Sequence, residues 1–321
     1  MIFLEKITLW SGCSGTRTFY ESGRNTQMEQ KRKAGKGSAI LCVLGAGLLW
    51  GCMGLMVRNM NRIGLGSMEI AFCRSVVTFA VMLAGMLVFR RKGLRIRIRD
   101  LWCFVGTGLL SVAFFNICYF SCMRYTSLST AAILLYTAPA FVMVLSHFLF
   151  REKFTVQKCI ALVLAFTGCV LVSGGFGAGS IDVMGILTGI GAGFGYALYS
   201  IFGRFAIQRG YDSYTITTYT FLFAALGTLP FVKLSYLYEC FAADGCMLLF
   251  GIGISIAVTV VPYLLYTKGL TGIENGKASI IASIEPVMAT VIGALVFREP
   301  MTVMGTMGMI LVLASTVICS L

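Results

Sequence analysis

Ala131–Thr155 reads A-A-I-L-L-Y-T-A-P-A-F-V-M-V-L-S-H-F-L-F-R-E-K-F-T, and Ala278–Thr302 reads A-S-I-I-A-S-I-E-P-V-M-A-T-V-I-G-A-L-V-F-R-E-P-M-T. The two align without a gap at an offset of 147 residues. Pro139 falls on Pro286, Phe150-Arg151-Glu152 on Phe297-Arg298-Glu299, and Thr155 on Thr302. Tyr119 falls on Tyr266 at the same offset. At an offset of 146, Gly45-Ala46-Gly47 falls on Gly191-Ala192-Gly193, Trp50 on Tyr196 and Arg58 on Arg204. A chain that repeats half of itself is expected to build one site between its halves.

The composition is 58% hydrophobic and 12% charged, about half the charge of an ordinary soluble domain. Uncharged windows such as 185–203 and 303–321 are long enough to span a bilayer. The expected fold is an all-α membrane protein. Its candidate spans are 38–57, 68–89, 101–123, 126–149, 157–175, 183–203, 214–232, 246–267, 277–297 and 303–320. This makes two five-helix repeats, 38–175 and 183–320, after a basic tail over 1–37. The tail is expected to be disordered; Met28 resembles a natural start, and the apolar opening is broken by Glu5 and Lys6, unlike a signal peptide.

If the N-terminus is cytoplasmic, twenty of the 26 Lys and Arg fall inside, five fall outside, and Arg74 lies within a span. That bias predicts both termini in the cytoplasm. Five spans per half then make the second half run oppositely to the first. Inverted repeats of this kind characterise many secondary transporters. The net charge of +13 is thereby read as a topology signal, and no nucleic-acid partner is expected.

The Leu49-Trp50-Gly51 segment, Arg74, Tyr125 to Thr155, and Glu285-Pro286 to Thr302 together resemble the EamA-type transporters of the drug/metabolite transporter superfamily. The resemblance covers about 37–321. It implies a ten-helix bundle with the third, fourth, eighth and ninth spans around a central cavity and the fifth and tenth at the periphery. It also implies export or import of small metabolites, often amino acids. The expected function is secondary transport across the cell membrane by alternating access, export favoured and not enzymatic, with an intramembrane enzyme or a non-transporting membrane scaffold as the alternatives. The expected partners are a small-molecule substrate and the lipid bilayer, with a homodimer left open.

Several residues are candidates for chemistry. Pro139 and Pro286 each delete a backbone hydrogen bond and are expected to kink their spans, shaping a cavity or merely bending a helix. Glu285 lies about 8 residues into its span, roughly 12 Å from the boundary. An intramembrane carboxylate is costly and so often functional. It is either a proton-coupling group or a structural carboxylate; its counterpart is Ala138. Arg74 is a candidate for a substrate carboxylate, or it snorkels; a direct pair with Glu285 is not expected from their depths. Asn116 and Tyr119, and their counterparts Tyr263 and Tyr266, lie a turn apart on one face. They suit a mixed apolar and polar pocket, although Tyr119 and Tyr266 near span ends also suit interfacial anchoring. Trp50, Tyr196 and Tyr199 are candidates for a cavity wall, against plain packing. Glu152, Glu299, Thr155 and Thr302 read as structural, the threonines capping the next helices.

The stripe Gly185, Gly189, Gly193 and Ala197 lets helices approach closely. Gly12-Cys-Ser-Gly15 matches a serine-protease motif but lies in the tail, and His147 has no evident acidic partner. The twelve cysteines contain no C-x-x-C pair and read as buried hydrophobes, with Cys240 and Cys246 as one disulfide option. No metal or cofactor motif is present in the sequence.

Overall fold

The computed structural model describes residues 35–175, 182–243 and 245–321. The expectations placed on residues 1–34, including the Gly12 motif, lie outside the described residues. The described residues form helices and no strand. Helices are one of the two forms that satisfy backbone polar groups in hydrocarbon, where they find no other partners.

In chain order the helices are α1 (Gly35–Arg62), α2 (Ser67–Phe89), α3 (Ile98–Tyr125), α4 (Leu128–Phe150), α5 (Val156–Val172) and α6 (Val183–Gln208). They continue with α7 (Ser213–Phe231), α8 (Leu234–Ala243), α9 (Gly245–Gly269), α10 (Asn275–Phe297) and α11 (Val303–Ser320). Among the described residues, eight are long and apolar enough to cross a membrane, or nine if α7 and its continuation count as one bent span. Helix α5, at the position of the fifth expected span, has only 17 residues. Helix α8 falls where the sequence reading places a loop; the chain turns through 99° to enter it.

Helix starts follow their caps. The side chains of Ser127, Thr155, Asp182, Asp212 and Thr302 each accept a hydrogen bond from a backbone N–H in the first turn of the helix that follows. Such caps satisfy donors that a helix leaves orphaned. Thr155 and Thr302 therefore act as the sequence suggests.

The two prolines do more than kink. Helix α4 breaks into Leu128–Leu135 and Ala138–Phe150, and α10 into Asn275–Ala282 and Glu285–Phe297. Pro139 and Pro286 each stand second in the new helix. There a missing N–H costs nothing, and the fixed φ suits helix initiation.

The halves match in further detail. Helices α3 and α9 each contain a π segment, Gly106–Ala113 and Ile256–Val260, ending at positions 147 apart. Arg151 and Arg298 both adopt the left-handed conformation, each with φ of 56°. The following Glu152 N–H and Glu299 N–H reach back to Ser146 O (3.2 Å) and Gly293 O (3.1 Å).

The halves also interlock. A Cβ on Gly47 of α1 would lie 2.9 Å from Ala282 O, and one on Gly51 would lie 2.6 Å from Glu285 O. Helix α1 thus seats on the break of α10. In the same way α6 seats on the break of α4: Gly193 faces Thr137 and Leu134 O, and Gly189 faces Leu134. Each half's first helix therefore cradles the broken helix of the other half. Helices α5 and α11 pack backbone to backbone, a Cβ on Gly168 falling 2.7 Å from Gly308 O.

Candidate functional site

The breaks meet at the centre. A cavity of about 20 Å³ is bounded by Leu135, Tyr136 and Ala138 of α4, and by Ala282, Ser283 and Glu285 of α10, with Pro139, Tyr196 and Ser279 completing the wall. Three of these pairs, Leu135 with Ala282, Tyr136 with Ser283 and Ala138 with Glu285, are related by the repeat offset. Equivalent residues touch one cavity only where it lies near the axis relating the halves. Trp50 and its counterpart Tyr196 obey the same rule, their ring centroids 6.2 Å apart.

Beside this cavity stands an aromatic cage. Trp50 packs on Tyr263 and Tyr266, both at 5.3 Å. Tyr199 meets Tyr263 edge-on at 5.0 Å, and Phe115 meets Tyr196 at 5.8 Å. Edge-to-face geometry of this kind suits the ring quadrupoles. Two polar bonds fix the cage: Tyr199 Oη with Thr267 Oγ1 at 2.6 Å, and Tyr266 Oη with Ser200 Oγ at 2.8 Å. The rings enclose a second cavity of about 10 Å³, also lined by Ser111 and Val112 of the α3 π segment. The two central cavities are of the order of one water molecule. The centre is thus closed on itself, and admitting a solute requires the helices to part.

Glu285 is the first residue of its half-helix, where the helix dipole favours a carboxylate. Its side chain is half-buried and, among the described residues, accepts no hydrogen bond. Arg74 is 8% exposed. Its Nη1 approaches Met53 Sδ at 3.3 Å, and its Nε has no partner among the described residues. The two do not form an ion pair among the described residues.

Other candidates sit differently. Asn116 donates to Val112 O of its own helix at 2.6 Å and lines neither central cavity. Tyr119 stacks on Phe115 at 5.6 Å, behind the cage. Tyr266, 2% exposed, packs on Trp50 and bonds Ser200, so its ring belongs to the cage. His147 shares a hydrogen bond with Glu152 O at 2.8 Å. Cys240 and Cys246 are free thiols. The residues the sequence reading passes over are Tyr136, Ser279, Ser283, Ser200 and Thr267. Tyr136 carries a signal in its place three residues before Pro139, where Ser283 stands before Pro286.

Glu152 has a larger role than its local setting suggests. Its carboxylate accepts from Asn275 N (2.8 Å) and Gly276 N (3.2 Å), 123 residues away, at the start of α10. Buried Lys158 Nζ lies 3.9 Å from Glu152 and 2.5 Å from Glu274. Arg204 donates to Asn275 Oδ1 (3.0 Å) and Ile273 O (2.5 Å). This network ties the two halves together at one end of the bundle, hereafter the basic end. At the opposite end, the counterpart Glu299 pairs with Arg58 at 2.5 Å, both half-exposed, and the start of α4 is capped by its own Ser127.

A duplicated all-helical unit, apolar throughout and closed around paired helix breaks, is the architecture of a membrane transporter. A profile of the EamA-like transporter family matches residues 37–174 and again 183–321, and the chain belongs to that family. An "uncharacterized transporter" of Archaeoglobus fulgidus is 28% identical over 278 residues, covering 84% of this chain and 92% of its own. The "uncharacterized transporter YwfM" of Bacillus subtilis is 22% identical over 285 residues, covering 87% of this chain and 93% of its own. A crystal structure described only as that of a protein superposes with a TM-score of 0.73 at 17% identity, over 88% of this chain and 96% of that one; it speaks for the fold alone.

Proposed function

We propose that the protein is a secondary transporter of small zwitterionic metabolites, amino acids or close relatives, working by alternating access in the cell membrane with export favoured. The observation that carries this reading is a pair of charged groups at the bundle centre: Arg74, buried with its Nε unpartnered among the described residues, and Glu285, on the wall of the central cavity. An α-carboxylate suits the guanidinium, an ammonium suits the carboxylate, and the rings supply apolar walls. Glu285 is also the group through which a proton gradient couples to transport.

In this reading α5 completes ten crossings, α8 lies along the membrane surface, and both termini and the basic end face the cytoplasm. The second half runs oppositely to the first. The Glu152 network then holds the cytoplasmic side shut. Exchange of the halves' conformations transfers that bond pattern to Glu299 and the start of α4, while Glu152 releases α10. Reconstitution into proteoliposomes, with counterflow of labelled amino acids, tests this. Counterflow should be seen with zwitterions and lost in Arg74→Gln. Equal exchange of simple amines or acids would refute the assignment of the two charges.

A further inference from the structure

At the basic end a cavity of about 530 Å³ opens among the starts of α1, α5 and α10, the end of α6 and the α9–α10 turn. Its walls carry four cations, Lys36, Lys158, Arg204 and Lys277, against one carboxylate, Glu274. All four lie within five residues of a helix end, so they share one level, within roughly 7 Å of the bundle's end at 1.5 Å per residue.

Two of these cations are held by partners, and two form no ion pair among the described residues. Lys158, 3% exposed, is held by Glu274, by Glu152 at 3.9 Å and by Lys153 O at 3.1 Å, and Arg204 is held by Ile273 O and Asn275 Oδ1. Lys36 and Lys277 form no ion pair among the described residues. Like charges gathered in a partly enclosed space repel one another unless an anion joins them. The transport reading uses none of this excess.

We propose that this cavity binds a phosphate group, carried either by an anionic lipid head group or by a soluble phosphate compound. Phosphate offers several acceptor oxygens to several donors at once, and basic pockets between membrane helices are the sites at which acidic head groups settle. The volume admits a head group. Lys158 serves both the phosphate and Glu274, so occupancy draws Lys158 away from the seal between the halves.

The test uses the full chain in nanodiscs of phosphatidylcholine, with and without phosphatidylglycerol, read by retained lipid in native mass spectrometry and by the thermal unfolding midpoint. Inorganic phosphate is titrated into the phosphatidylcholine discs in parallel. Phosphatidylglycerol retention with a raised midpoint establishes the lipid as the source; a phosphate-dependent rise without lipid retention establishes the soluble source. In either case Lys36→Gln and Lys277→Gln should each weaken binding roughly fivefold. Lys92→Gln and Arg99→Gln, which remove exposed charge at the same end outside the cavity, should leave it unchanged. Absence of both effects, or equal loss in the two control variants, overturns the proposal.

Discussion

Replacing Glu152 by Gln changes one atom of the side chain and removes its charge. The carboxylate receives two backbone N–H bonds at the start of α10, at 2.8 and 3.2 Å, and it faces Lys158 at 3.9 Å. The glutamine carbonyl keeps one of those bonds and loses the charge that strengthens it. Hydrogen bonds to charged groups contribute about 1.5–3 kcal/mol, and the helix dipole adds about 0.3–1 kcal/mol. Lys158 keeps Glu274, so the buried ammonium is not stranded. We expect a loss of about 2 kcal/mol from the closed basic end, roughly a 30-fold rise in the population of openings there. Cys319 reports it. This thiol is 0% exposed and lies under the start of α10, 3.9 Å from Lys277 O. Its alkylation by a membrane-impermeant reagent, followed by mass spectrometry, should accelerate about as much as the open population grows. Cys122, equally buried in the α3–α6 contact toward the opposite end, should be unaffected. An unchanged Cys319 rate would show that Glu152 does not hold the halves together, and parallel acceleration of Cys122 would show general unfolding instead.

Glu285→Gln should preserve the fold, since its carboxylate accepts no hydrogen bond among the described residues, and should abolish the pH dependence of proteoliposome uptake; uptake still driven by a pH gradient would exclude coupling at this residue. Gly51→Val forces side-chain atoms into the α10 break, where even a Cβ would lie 2.6 Å from Glu285 O and Met288 Cβ. It should cost about 1–3 kcal/mol, measured as a lowered unfolding midpoint, whereas Gly54→Val, with open space around the Cβ, should not. Arg298→Gly relieves a left-handed residue that costs roughly 1–2 kcal/mol, partly offset by the entropy of glycine. A net gain of about 0.5 kcal/mol should raise the midpoint, and a fall would show that the exposed arginine side chain matters more than its backbone.

The repeat was legible because membrane sequence keeps its punctuation. The prolines, the Arg-Glu pairs and the capping threonines have sharp local jobs, and those jobs recur at the same offset. What depends on distant partners was not legible. Nothing near Glu152 announces that its acceptors serve a helix start 123 residues away. Tyr266 reads as an interfacial residue because it stands near the end of its span, whereas its ring turns inward to Ser200, 66 residues away in sequence. Helix α8 leaves no membrane signal in the sequence, because Lys233 and Asp244 bracket a ten-residue segment carrying Glu239, too short to register as a membrane run. Sequence gives the hydrogen bond that each proline loses but not the response, so a kink and a full break look alike in it. With Gly47 and Gly51 of α1 pressed against it, the α10 break is a full interruption.

The meeting of Ala138 with Glu285 has a consequence of its own. A chamber on an axis between two copies of one unit inherits walls that mirror each other, and such a chamber cannot tell one end of its contents from the other. Here a methyl group faces a carboxylate across the cavity. Together with Leu135 against Ala282 and Tyr136 against Ser283, that difference gives the chamber two unlike ends.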